Sequence, residues 1–317
     1  MFLIVGYEGD RTTRHVCAAA RAVAADHHFL NLGAAVETES VHVEWSAPHL
    51  AVTVGDERFD LSEYTGFYSR LYFQATGSPM RDAALSELVS WTSAHLDQSD
   101  ALVINRPGSG WSNYTKLQHT KELADVGFRV PRSVITASPE VASELVASGR
   151  WVSKPCSGTR SETVLVDLAL CERLKVLEHA PTQFQEYIEG VDVRLHWLRG
   201  ECFPLQIQAA SGVDYRFGEG ENEFSEIEVP DEVARLCAAF CEEAGLELAG
   251  FDFKLDAAGE WVALEANPMP GFDYYDRRLD GVIGRRLIEM LGAGPGRREP
   301  FIERRRRPPL SSPLPAE

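Results

Sequence analysis

The sequence is short of several things, and each shortage closes a class of function. It has six cysteines in 317 residues (Cys17, Cys156, Cys171, Cys202, Cys237 and Cys241) and no CxxC. That is too sparse for a disulfide scaffold, so the thiols are read as reduced and the chain as cytoplasmic. No apolar run is long enough to span a membrane, and "MFLIVGYEGD" is too short for a signal peptide, so no membrane partner is expected. Cations are scarce, with 31 Lys and Arg against 48 Asp and Glu, a formal net charge of −17. Neutralising phosphates takes clustered Lys and Arg, so no nucleic-acid partner is expected either. The chain contains no GxxxxGK[ST], and its first turn lacks GxGxxG, which leaves P-loop and NAD-type sites unsupported. There is no internal repeat.

What is there begins as strand, turn, helix: "FLIV", "GYEGDRT", then Val16, Ala19, Ala20 and Val23 at helical spacing. "HVEWSAPHLAVTVGDERFDL" reads as short strands and turns. "RDAALSELVSWTSAHLDQ" puts Leu85, Leu88, Val89, Thr92 and Leu96 on one helical face, and "ALVIN" follows as a buried strand. Strands alternating with helices predict an open α/β sheet over 1–105. After the "NRPGSG" loop, "SNYTKLQHTKELADVG" reads as a helix capped by Ser112 and ended by Gly127. "SPEVASELVASG" has Ser at the cap, Pro139 at the first helical position and Gly149 at the end. With the strands around it, 106–184 is expected to be a small α+β lobe. Antiparallel strands dominate 185–295, with helices near Asp231–Ala244 and Leu279–Leu291. Residues 296–317, rich in Arg and Pro, lose periodicity and read as a disordered tail.

Three stretches carry chemistry. "GFDFKLDAAGEWVALEANPMPGF" reads as a hairpin in which Leu255 pairs with Glu260, Phe253 with Val262 and Phe251 with Leu264. Side chains alternate faces along a strand, so Asp252, Glu265 and Asn267 fall together on the other face. These are hard oxygen ligands, suited to Mg²⁺ that also binds substrate phosphates. The bland alternative is a solvent-facing strand surface, which the rigid "NPMPG" turn just beyond weakens. Lys154 ends an apolar strand in "WVSKPCSGTRSE", before small residues whose backbone N–H groups at Ser157–Thr159 suit phosphates. In "QFQEYIEGVDVRLHW", Asp192 and Arg194 share a strand face. The Arg suits an acyl or phosphoryl oxygen, and a cross-strand ion pair is the alternative.

In this order the motifs resemble one family. "VINRPGSGWSNYTKLQHTKELADVGFRVPRSVIT", "SKP", "QEYIEGVDVRLHW" and the metal hairpin are similar to ATP-grasp ligases of the RimK-type, glutathione-synthetase-like branch, over about 105 to 292. The resemblance implies an ATP-grasp fold, mixed α/β and α+β, behind an N-terminal open α/β domain. It implies ATP and Mg²⁺ (or Mn²⁺) as cofactors. By position, Lys116 and Lys154 match lysines on the ATP phosphates, and Gln185, Glu186, Tyr187 and Ile188 the hinge that receives adenine. Asp192 matches an acid near the ribose, Arg194 the Arg at the reacting phosphate, and Asp252, Glu265 and Asn267 the metal ligands. The sequence departs from the pattern where the usual Asn-Lys pair is split as "NYTK", and where the phosphate-covering loop has one Gly and carries Arg160.

The implied reaction is a carboxylate–amine ligation through an acyl phosphate, with Arg194 and Lys154 as catalytic residues. Arg70, Arg216, Tyr274 and Arg277 are candidates for gripping the substrate. A free amino acid or short peptide ranks first as substrate. Side chains of a ribosomal peptide or protein rank second, because "EANPMPGF" lacks the "NPxGQ"-like ending associated with that group. A non-catalytic nucleotide-binding regulatory relative is the reading from another class, and a homodimer is left open.

Overall fold

The computed structural model describes residues 1–37, 41–46, 49–109, 115–156, 163–167, 181–212, 214–216 and 220–294. The Ser112 cap, the loop residues Ser157–Thr159 and Arg160, Cys171 and the stretch 296–317 lie outside the described residues. No disulfide joins Cys17, Cys156, Cys202, Cys237 or Cys241. Among the described residues, no helix is long and apolar enough to cross a membrane.

The first strands are β1 (Phe2–Gly6), β2 (His27–Asn31), β3 (Val41–Ser46), β4 (His49–Val54), β5 (Glu57–Asp60), β6 (Gly66–Ser69) and β7 (Leu102–Ile104). They form two sheets rather than the single open sheet expected. β2-β1-β6-β7 is parallel, and β3-β4-β5 is a separate antiparallel unit. The difference follows from connection length: parallel strands need a long crossover, whereas only two residues separate β3 from β4 and two separate β4 from β5. The helix Pro79–Gln98 buries Leu85, Leu88, Thr92 and Leu96, the face its spacing predicts, with Val89 at the margin.

Next come β8 (Ser133–Thr136), β9 (Trp151–Pro155), β10 (Val164–Val166) and β11 (Thr182–Glu186), an antiparallel sheet in the order β10-β9-β11-β8. Before it, the helix Lys116–Val126 ends on Gly127 at φ 113°, a left-handed C-cap that glycine adopts at little cost. The helix Pro139–Ser148 is capped by Ser138, whose Oγ accepts from Val141 N–H at 3.2 Å.

The third sheet contains β12 (Val191–Leu198), β13 (Glu201–Gln208), β14 (Glu223–Ser225), β15 (Leu248–Leu255) and β16 (Trp261–Asn267), in the order β14-β13-β12-β15-β16. One face packs Val193, Leu195, Phe251, Phe253, Ala263 and Ala266 against Phe240 and Cys241 of the helix Asp231–Glu243. The helix Val282–Ala293, expected with the C-terminal lobe, lies against the N-terminal sheet. Its Leu287 and Leu291 share a core with Phe2, Ile4 and Tyr68.

The hairpin register differs from the expected one. Leu255 pairs with Trp261, Lys254 with Val262 and Phe253 with Ala263. The register then shifts, and Asp252 pairs with Glu265, Phe251 with Ala266 and Gly250 with Asn267. Leu264 is the extra residue of a β-bulge. Without it, the alternation set at Trp261 would send Glu265 and Asn267 toward the core; the bulge turns them to the face of Asp252.

Candidate active site

A cleft of about 720 Å³, counting its open mouth, lies between the β8–β11 sheet and the β12–β16 sheet. The first contributes Val152, Lys154 and Gln185, and the second contributes Asp192, Asp252 and Lys254. Glu186, the last residue of β11, and Tyr187 and Ile188, which lead on toward β12, line it as well. The structure thus brings together most of the residues singled out in the sequence.

Register decides which charges meet. Arg194 faces Asp252 across β12 and β15, and Asp192 faces Lys254. Both pairs close: Arg194 Nη1 to Asp252 Oδ1 at 2.8 Å and Lys254 Nζ to Asp192 Oδ1 at 2.9 Å. Burial raises the Asp192 pKa despite Lys254. Burial would lower the Arg194 pKa, but Asp252 and then the Tyr275 and Tyr215 hydroxyls outweigh it, and the pKa ends up raised. Asp252 and Glu265 line the cleft. Asn267 sits two pairs further along, outside the lining, and its Oδ1 accepts from Met269 N–H at 2.9 Å.

The lysines supply positive charge that Glu265 offsets only in part. Lys154 Nζ donates to Gln185 Oε1 at 2.8 Å, and among the described residues no carboxylate lies within pairing distance of it. Burial first, and then the neighbouring Lys116, push its pKa down to about 8. The Lys116 pKa is also lowered, chiefly by burial, with Glu265 acting against the shift. A buried ammonium held next to a second cation is the electrostatic signature of a site waiting for an anion. A polyphosphate fits it. Among the described residues, no group of three His, Cys, Asp or Glu is gathered for a metal. Asp252, Glu265 and Asn267 fit Mg²⁺ that arrives with phosphate oxygens, since that ion needs only one or two protein carboxylates.

The four substrate candidates separate. Arg216 lines the cleft, held to Asp214 by Nε–Oδ1 at 2.8 Å and Nη2–Oδ2 at 2.6 Å. Tyr274 and Arg277 are exposed in the short helical stretch Asp273–Leu279 beyond the turn after β16, where Tyr274 stacks on the Arg278 guanidinium at 3.8 Å. Arg70 does not reach the cleft. It is buried, with Asp10 Oδ1 3.0 Å from its Nε, and Nη1 donates to the Met269 and Pro270 carbonyls at 3.3 and 3.0 Å.

Sequence reasoning passed over several residues of the site. Lys254 could have been found, since it is two residues from Asp252 on the same strand face. His119 carried no such signal; its Nε2 accepts from Ala266 N–H at 2.9 Å, so the helix Lys116–Val126 holds β16 directly. Asn105, in the "NRP" loop, has the same kind of role. Its Oδ1 accepts from Glu247 and Leu248 N–H at 2.7 and 2.9 Å, and its Nδ2 donates to the Pro268 carbonyl at 2.5 Å.

No family model matches the sequence, and no curated protein does either. Solved structures do. The ATP-grasp ligase PsnB complexed with a minimal precursor is 26% identical with a TM-score of 0.77, covering 92% of this chain and 98% of its own. A RiPP-associated ATP-grasp ligase of Chryseobacterium gregarium, in complex with ADP and a leader and core peptide, has a TM-score of 0.77 at 16% identity, covering 94% and 99%. D-alanine–D-alanine ligase of Bacillus anthracis, complexed with ATP, has a TM-score of 0.58 at 15% identity, covering 93% and 96%. A superposition that runs through nearly all of both chains places this one in the ATP-grasp superfamily of ligases.

Proposed function

We propose that this ADP-forming ATP-grasp ligase works on a peptide, activating a carboxylate of a ribosomally made precursor as an acyl phosphate and passing it to an amine. This reverses the ranking reached from the sequence, where a free amino acid or short peptide came first. The observation that carries the reading is the whole-chain likeness to a precursor-bound ligase at a TM-score of 0.77, against 0.58 for the D-alanine–D-alanine ligase. The "NPMPG" ending had been read as evidence about substrate. Its Pro268 and Pro270 carbonyls accept from Asn105 and Arg70, so the turn reports how β16 is anchored.

ATP with Mg²⁺ supplies the γ-phosphoryl group and neutralises its developing charge. Lys116 and Lys154 hold the triphosphate, and Asp252, Glu265 and Asn267 hold the metal. Gln185, Glu186, Tyr187 and Ile188 receive adenine, and Asp192, braced by Lys254, sits by the ribose. Arg194, paired with Asp252 of the cleft, would face the reacting phosphate, and Arg216 adds a second guanidinium in the lining. Tyr274 and Arg277 offer an exposed surface to a peptide beyond the cleft. Positioning and electrostatics account for the rate, with no covalent enzyme intermediate.

The test is a competition between substrate classes. Synthetic precursor-like peptides and pairs of free amino acids are supplied with Mg·ATP, and ADP release and product mass are followed. The reading predicts loss of one water from the peptide per ADP formed. ADP release with amino-acid pairs but with no peptide would restore the original ranking.

A further inference from the structure

The strand that carries Arg194 carries another buried polar side chain, for which the ligation has so far had no use. His196 is completely buried, opposite Gly250 on β15 and beneath the rings of Phe272 and Tyr275, 6.3 and 5.2 Å away. Its ring meets the arginine. Arg194 Nε–H donates to His196 Nε2 at 3.3 Å, while Nη1 donates to Asp252 Oδ1 at 2.8 Å. Nη2 lies over Gly250, where a Cβ would stand 2.2 Å from it and 2.7 Å from Cζ. An imidazole lone pair and a carboxylate therefore each hold one nitrogen of the guanidinium, and the missing methyl group leaves room for the third. The ring of Tyr275 lies 5.5 Å from Cζ, and its hydroxyl is 2.7 Å from that of Tyr215.

Imidazole accepts from an arginine only when it is neutral with its proton on Nδ1, because imidazolium has donors alone. The surroundings enforce that state. Burial, and then the Arg194 charge, hold the His196 pKa well below its usual value, with the Gly271 backbone acting the other way.

We propose that His196 is a positioning residue for the ligation: as a neutral acceptor it fixes the plane of the Arg194 guanidinium toward the reacting phosphoryl group, and Gly250 leaves the room for it. This deepens the ligase reading and rests on it for the role of Arg194. A mobile arginine would have to be ordered during the reaction, whereas one already held by two acceptors is preorganised for the charge that develops. An apolar residue of similar bulk would fill the space but leave Nε buried without a partner.

The experiment measures binding of Mg·ADP and of Mg·ADP with aluminium fluoride, a mimic of the phosphoryl group in flight, to the full chain. His196→Leu should weaken the fluoride complex about tenfold or more while leaving Mg·ADP nearly unchanged, because the interaction matters most in the transition state. His196→Gln, whose Oε1 can stand where Nε2 does, should recover most of the loss. Arg194→Ala separates the two layers of argument. If it loses the fluoride complex while His196→Leu matches the parent, the inference fails and the ligase reading stands. If Arg194→Ala also matches the parent, the role of the arginine fails, and that of His196 with it. Should His196→Leu not fold, ¹⁵N histidine spectra of the unaltered chain decide. An unprotonated Nε2 across neutral pH supports the inference, and a protonated one overturns it.

Discussion

Lys154 is the residue whose state depends most on what fills the cleft. With its pKa pushed down to about 8, it is largely protonated at neutral pH and loses its proton as the pH rises further. A triphosphate beside it favours the charged form, so above a pH of about 8 nucleotide binding must bring a proton with it. ATP affinity should therefore fall as pH rises through that region. Titration calorimetry in buffers of different ionisation heat should show proton uptake, absent in Lys154→Met. Proton uptake unchanged in that variant would assign the effect to another group. The stability sign is the opposite one. The folded pKa lies below the unfolded value of about 10.4, so between the two the unfolded chain binds more protons, and this group's contribution to stability rises with pH. Lys154 could be picked out in the sequence as a strand-end lysine. Its burial against Gln185 and Lys116 could not, because that depends on segments far apart in the chain.

At the scale of elements, the hairpin shows where periodicity stops being informative. Alternation correctly grouped Asp252, Glu265 and Asn267, yet it did so through the wrong pairs, with Phe253 against Val262 in place of Ala263. A turn placed one residue off and a bulge at Leu264 compensated each other. A bulge leaves no mark in a pattern of apolar and polar residues when its extra residue is itself apolar. Arg70 illustrates the reverse case, a residue whose type suggested substrate and whose surroundings are structural. It joins the end of β6 to Asp10 and to the turn after β16. Arg70→Met leaves the partly buried Asp10 carboxylate without its counter-charge and two carbonyls without a donor, and should cost about 3 kcal/mol of stability, the scale for breaking a buried pair. Denaturant unfolding checks this. A variant with the parent's stability but weaker substrate binding would return Arg70 to the substrate site.

For the whole molecule, the order of motifs was legible because each is local: a strand-end lysine, a hinge segment, an Asp and Arg two apart, a hairpin. How sheets and helices pack was less so. That the helix Val282–Ala293 closes the core of the N-terminal sheet depends on contacts across nearly the full chain length, which local spacing does not encode. Substrate class was the least legible, since it was judged from a turn whose residues serve anchoring. The central claim is chemical: the carboxylate is activated as an acyl phosphate in a cleft that holds ATP. The most direct measurement is the fate of the nucleotide and the activated acid when hydroxylamine stands in for the amine. With an acid substrate present, the account predicts ADP and a hydroxamate in equal amounts, and Arg194→Ala should slow their formation by about 10²-fold, the scale of one preorganised electrostatic contact. AMP in place of ADP would mean an acyl adenylate and would contradict the account.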